Sequence, residues 1–184
     1  LMEKAAQKVM GGLVDLHGKS LTEKPEGFID KDEVPHAWHY LVNPGSSITG
    51  RCMLEGNDLT VLHNGEAAYP VMLKAISEAK ERVFLSSFIF GYDEVGKSFA
   101  AALRAAAERG CDVRLLMDGV GSFHLWPSWR KRLGPDVKLA YFLPPRLIPP
   151  QFSINLRTHR KVLICDSETG FTGGMNISQN HLAN

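Results

Sequence analysis

The chain has 184 residues, 44% of them hydrophobic and 22% charged, which is ordinary globular composition and enough for one domain with a proper core. A formal charge of +1 excludes global steering toward nucleic acid, and no apolar run reaches the length of a membrane span. Three cysteines, Cys52, Cys111 and Cys165, show no metal-ligand spacing and read as free, mostly buried thiols of a reducing compartment.

Residues Leu1 to about Leu16 place Ala5, Val9, Leu13 and Leu16 at helical spacing before Gly18. Lys19 to Ser47, with Pro25, Pro35 and Pro44, reads as an irregular arm. His36-x-x-His39 within it supplies two ligands, too few for a metal site. The organisation expected is therefore an amino-terminal helix and arm over 1–49 and a domain over 50–184.

Gly56-Asn57 between Arg51 to Glu55 and Asp58 to His63 predicts a hairpin. A helix follows from Asn64-Gly65 to about Lys80, with Ala68, Val71, Met72, Ala75, Ile76 and Ala79 on one face and Pro70 in its first turn. Arg82 to Phe90 is an apolar run suited to a strand buried between layers. An alanine-rich helix, Gly96 to Arg109, closes on Gly110, and the strand Asp112 to Met117 comes at once. Strand, short connection, helix and strand in that order give an α/β fold with a mixed, largely parallel sheet flanked by helices. Asp118 to Ser122 lacks the full glycine fingerprint of a nucleotide loop and reads as a tight turn at the carboxyl end of its strand. Trp126 to Leu133 predicts a short helix, Asp136 to Phe142 a strand, and the proline-rich Leu143 to Ser153 no regular structure. Leu147 and Ile148 in that loop are candidates for an apolar lip over which an acyl chain could lie.

Charge is uneven along the chain. Trp126 to Asp166 holds eight Lys or Arg against Asp136 and Asp166, whereas Leu1 to Val34 holds five Lys against seven Asp or Glu. The basic segment ends on Ile154 to Ile164, which has the apolar content of a strand and would set Asn155, Arg157, His159 and Lys161 on one face. Ile154, Leu156, Thr158, Arg160, Val162 and Ile164 would then face the core. Four polar groups on one surface suit an anion. A neutral imidazole at His159 can attack phosphorus, Lys161 can hold phosphoryl oxygens, and Asn176 can add an amide donor. Asp166 has the wrong parity for that face, so it is expected to fix the following turn or to pair with a base elsewhere.

The spacing His159-x-Lys161-x-x-x-x-Asp166, followed by Gly173-Gly174-Met175-Asn176, resembles the HxKxxxxD signature of the phospholipase D superfamily. Asn155-x-Arg157-x-His159-Arg160-Lys161 and Gly170 to Ile177 are most similar to its bacterial cardiolipin synthase branch, although Gly174 stands where half-length members carry serine. The resemblance implies catalytic His159, Lys161 and Asp166, substrate binding through Asn155, Arg157, Gly174 and Asn176, and no metal or cofactor. It further implies a phosphohistidine route for phosphodiester transfer or hydrolysis on an anionic phospholipid such as phosphatidylglycerol. Members bring two motifs together and this chain carries one, so it reads as the first of two halves, completed by a second half in cis or by a homodimer in trans. A homodimeric phosphodiesterase or nuclease and a non-catalytic phosphate-binding scaffold are the alternatives. The location implied is cytoplasmic, peripheral to or tethered at the inner membrane.

Overall fold

In the computed structural model the described residues are His36, 56–122, 128–147, 150–151 and 157–183. The chain divides into two compact units, Leu1–Val61 and Leu62–Asn184. The expected amino-terminal helix, Arg51 to Glu55, His39, Asn155 and Cys52 lie outside the described residues. Gly56 adopts the left-handed turn conformation expected of it, at φ 78°, but residues 57–63 form no strand. Leu59 and Val61, apolar groups that such a strand would bury, are exposed.

In the second unit, helix α1 spans Asn64–Glu78, β1 Arg82–Ser87, α2 Glu94–Glu108, β2 Asp112–Asp118, α3 Trp129–Leu133 and β3 Lys138–Phe142. Two short strands, β4 at Arg146–Leu147 and β5 at Pro150–Gln151, precede β6 at Val162–Cys165 and β7 at Thr169–Thr172. The main sheet has the order β3-β2-β1-β6-β7. Its β1–β2 and β2–β3 pairs are parallel, while β1–β6 and β6–β7 are antiparallel, so the α/β sheet is mixed in equal parts.

Register explains the core. Val83 pairs with Val113 and Cys165, and Leu85 with Leu115 and Leu163, so the same parity of three strands points to one face. All six are buried there with Ile76 of α1, Phe99 and Leu103 of α2, and Trp129 and Leu133 of α3. Each large side chain so buried stabilises by about 1.5–3 kcal/mol. Helix α2 is capped by Asp93, which accepts from the Gly96 N–H at 2.9 Å, and Gly110 beyond its end takes φ 99°.

Three expectations need correction. Pro70 lies in the second turn of α1, on its exposed side, where water can serve the Glu66 carbonyl that loses its bond; Val71 is likewise exposed, and Tyr69 takes the core position instead. The proline-rich loop is not wholly irregular, since β4 and β5 pair Arg146 with Gln151 and Leu147 with Pro150, a strand start where proline costs little. Most important, the motif strand is shorter than Ile154 to Ile164: only Val162–Cys165 is strand, and residues 157–161 approach it without a ladder. Its most buried side chains are Leu163 and Cys165, not Val162 and Ile164, because the helix layer covers the odd-numbered side.

Candidate active site

Three loops meet where β1 and β2 end. Ser122 donates its hydroxyl to the Phe88 carbonyl at 2.8 Å and accepts from the Phe90 N–H at 2.9 Å. Ile177 donates to the Ile89 carbonyl at 3.1 Å, and Gly91 donates to the Ile177 carbonyl at 2.7 Å. A methyl on Gly121 would lie 2.5 Å from the Phe88 carbonyl oxygen, so glycine is needed for that approach.

The approach to the motif is fixed by Asp118, a fully buried carboxylate whose place in the sequence predicts only a turn residue. It accepts from the N–H groups of Val120 at 2.9 Å, Gly121 at 3.0 Å and Thr158 at 3.1 Å. Arg157 comes within 3.6 Å of the same carboxylate and donates to the Leu143 carbonyl at 3.3 Å. These partners offset the cost of burying a charge. Arg157 is thus engaged with the fold, and the Thr158 bond holds the backbone one residue before His159.

His159 is exposed at this end, its imidazole stacked on Phe88 with ring centroids 4.4 Å apart. Lys161 donates to the His159 carbonyl at 2.8 Å, and its Nζ lies 5.4 Å from the Phe88 ring centre. Asn176 accepts at Oδ1 from the Ile89 N–H at 3.0 Å, which orients the amide and leaves Nδ2 as donor. Its backbone is fixed as well, by the Tyr69 hydroxyl on its carbonyl at 2.9 Å and by its N–H on His181 Nε2 at 3.1 Å. Burial raises the Tyr69 hydroxyl above its ordinary value and keeps it a donor. Asp93 ties the same segment down: burial opposes its charge, but bonds from Gly96, Gln179 and Ser178 prevail and hold it below the usual carboxylate range. Gly173 and Gly174 stand exposed with open space around them, leaving room for a ligand.

Asp166 is elsewhere. It turns the chain between β6 and β7 at φ 54°, and its carboxylate accepts from the N–H groups of Lys80 at 2.8 Å and of Glu81 and Arg82 at 2.9 Å. Those bonds, Arg82 first, hold it below the usual carboxylate range. It pins the α1–β1 junction. A hollow of about 590 Å³ opens at that end, but Glu78, Glu81, Asp166 and Glu168 outnumber Lys74 and Lys80 in its lining, which disfavours an anion. Asn155, Ile148 and the Leu147 side chain lie outside the described residues. Among the described residues no group of three or more His, Cys, Asp or Glu could hold a metal ion.

A family model described as cardiolipin synthase, PLD-like domain matches residues 72–184, more than half of the chain. The chain belongs to that family. This PLD-like domain is 42% identical over 131 residues to cardiolipin synthase B of Escherichia coli, covering 70% of the chain and 32% of that protein. It is 36% identical over 131 residues to the major cardiolipin synthase ClsA of Bacillus subtilis, covering 70% of the chain and 27% of the relative. The chain therefore matches about a third of the length of the first relative and about a quarter of the second. Among solved structures, NucT from Helicobacter pylori matches 63% of this chain and 70% of its own at 24% identity, with a TM-score of 0.49. Nuc from Salmonella typhimurium, a phospholipase D family member, matches 62% and 68% at 24% identity, with a TM-score of 0.47.

Proposed function

We propose that this domain supplies one catalytic half of a cardiolipin-synthase-like enzyme that transfers a phosphatidyl group through a phosphohistidine at His159. The observation that supports this best is the convergence of an exposed imidazole, an ammonium and an oriented amide at one end of the sheet, at His159, Lys161 and Asn176. One ring nitrogen of His159 attacks phosphorus as the ester P–O bond breaks. Lys161 and the Asn176 Nδ2 hold the non-bridging oxygens as charge builds there. The leaving alkoxide takes its proton from the histidine of a second motif, in cis or in trans. An alcohol such as phosphatidylglycerol, or water, then releases the group from His159. Asp118 and Asp166 position the backbone, and Arg157 and Gly174 border the substrate.

The substrate is an anionic phospholipid and the surface it is drawn from is a membrane, which the domain meets peripherally at the cytoplasmic face. Among the described residues no helix is long and apolar enough to cross a membrane. The basic segment leading into the motif supports an anionic surface as partner.

Turnover of a chromogenic phosphodiester with a chelator present, beside a His159→Ala variant, tests the reading. Activity that survives chelation and is lost in the variant is expected once a second motif is supplied. Equal activity in both proteins would remove His159 from the reaction.

A further inference from the structure

The His159 ring stacks on Phe88, with planes inclined by 30°. Phe88 is itself immobilised: it follows β1 directly, its carbonyl accepts from Ser122, and its ring lies so close to Gly121 that a methyl there would meet ring carbons at 2.9 and 3.0 Å. The adjoining Ile89 N–H carries the bond that orients Asn176.

We propose that Phe88 is a positioning residue for phosphoryl transfer, its ring holding the His159 imidazole and the Lys161 ammonium together. This rests on the reading of His159 as nucleophile. An aromatic face is negative, so it attracts an ammonium within about 6 Å of its centre and a stacked imidazole that becomes cationic on phosphorylation. Lys161, at 5.4 Å and tied to the His159 carbonyl, meets that condition. One side chain thereby sets the spacing between nucleophile and phosphate-binding cation. The same loop sets the Asn176 donor through Ile89, so three groups share one origin.

The test compares the chain with Phe88→Leu and Phe88→Tyr, each first shown to keep the parent's thermal midpoint and backbone NMR spectrum. In the parent, the His159 ring protons should be shifted upfield by the Phe88 ring. The shift should vanish in Phe88→Leu and persist in Phe88→Tyr. Orthovanadate, titrated as the probe of the phosphoryl site, should bind about five- to tenfold more weakly to Phe88→Leu and equally to Phe88→Tyr. His159 shifts that are the same in Phe88→Leu as in the parent overturn the proposal, as does a Tyr variant that behaves like Leu. Vanadate that leaves His159 untouched in every protein, while the ring shift still separates Leu from Phe, overturns the phosphoryl-transfer reading. That outcome is distinct, because the stacking is then intact and only its use is wrong.

Discussion

Asp118 and Asp166 occupy opposite ends of the same sheet, separated by the six residues of β1, or roughly 17 Å. Both carboxylates accept three backbone N–H groups, yet they hold different things. Asp118 is fully buried and grips Thr158, beside the imidazole; Asp166 is partly open to solvent and grips residues 80–82, where α1 hands over to β1. The aspartate named in the motif thus holds the α1–β1 junction, and the one outside it lies nearer His159. The spacing of the motif records a strand, Val162–Cys165, with a site at one end and an anchor at the other.

The largest effect expected is at Asp118. Asp118→Ala removes the carboxylate beside the partly buried Arg157 and leaves three N–H groups unserved, and should cost about 3–5 kcal/mol in a urea titration. A loss below that of Asp166→Ala would erase the contrast between the ends. Next, Asn176→Asp keeps an acceptor for the Ile89 N–H but replaces the Nδ2 donor with charge. Stability near the parent's and a kcat lower by about a hundredfold, once a second motif is supplied, are expected from a complete kinetic comparison. Equal kcat would move the phosphate away from Asn176.

Asp166→Ala should cost about 1–2 kcal/mol, the lower part of the range because solvent screens this carboxylate. Its folded pKa is depressed, so the stabilisation is complete above the ordinary carboxylate value of about 3.9 and is lost as pH falls through the lower folded one. The gap between parent and variant, followed by thermal unfolding, should be constant near neutrality and close below about pH 4. A gap that widens on acidification would contradict the assignment. The smallest effect concerns Cys165 at the same end. Burial, then the nearby Asp166 and Cys111, pushes its thiol up to about 11, so peptide mapping after neutral thiol labelling should find it unmodified.

The α/β frame was legible because its signals were local: the apolar run of β1, the Gly110 stop after α2 and the short connection into β2. His159 and Lys161 were legible from spacing. The strand drawn through them was not, because alternation of polar and apolar residues imitates a strand, whereas a ladder needs neighbours, and β1 and β7 offer them only along Val162–Cys165. Asp118 could be found from sequence only as a carboxylate ending a strand, which is also how a turn is written. Phe88 was hidden inside an apolar run. Tyr69 and His181, which fix the Asn176 backbone from 107 and 5 residues away, carry no spacing signal at all.

The central claim is that the chemistry sits on His159, and an activated diester tests it most directly. Bis(p-nitrophenyl) phosphate expels a phenolate that needs no proton from a second motif, so His159 of one half alone can attack its phosphorus. Incubation with chelator, rapid quenching at high pH and mass-spectrometric mapping should locate the phosphoryl adduct on His159 and nowhere in His159→Ala. An adduct on another residue, or one that persists in the variant, would contradict the account.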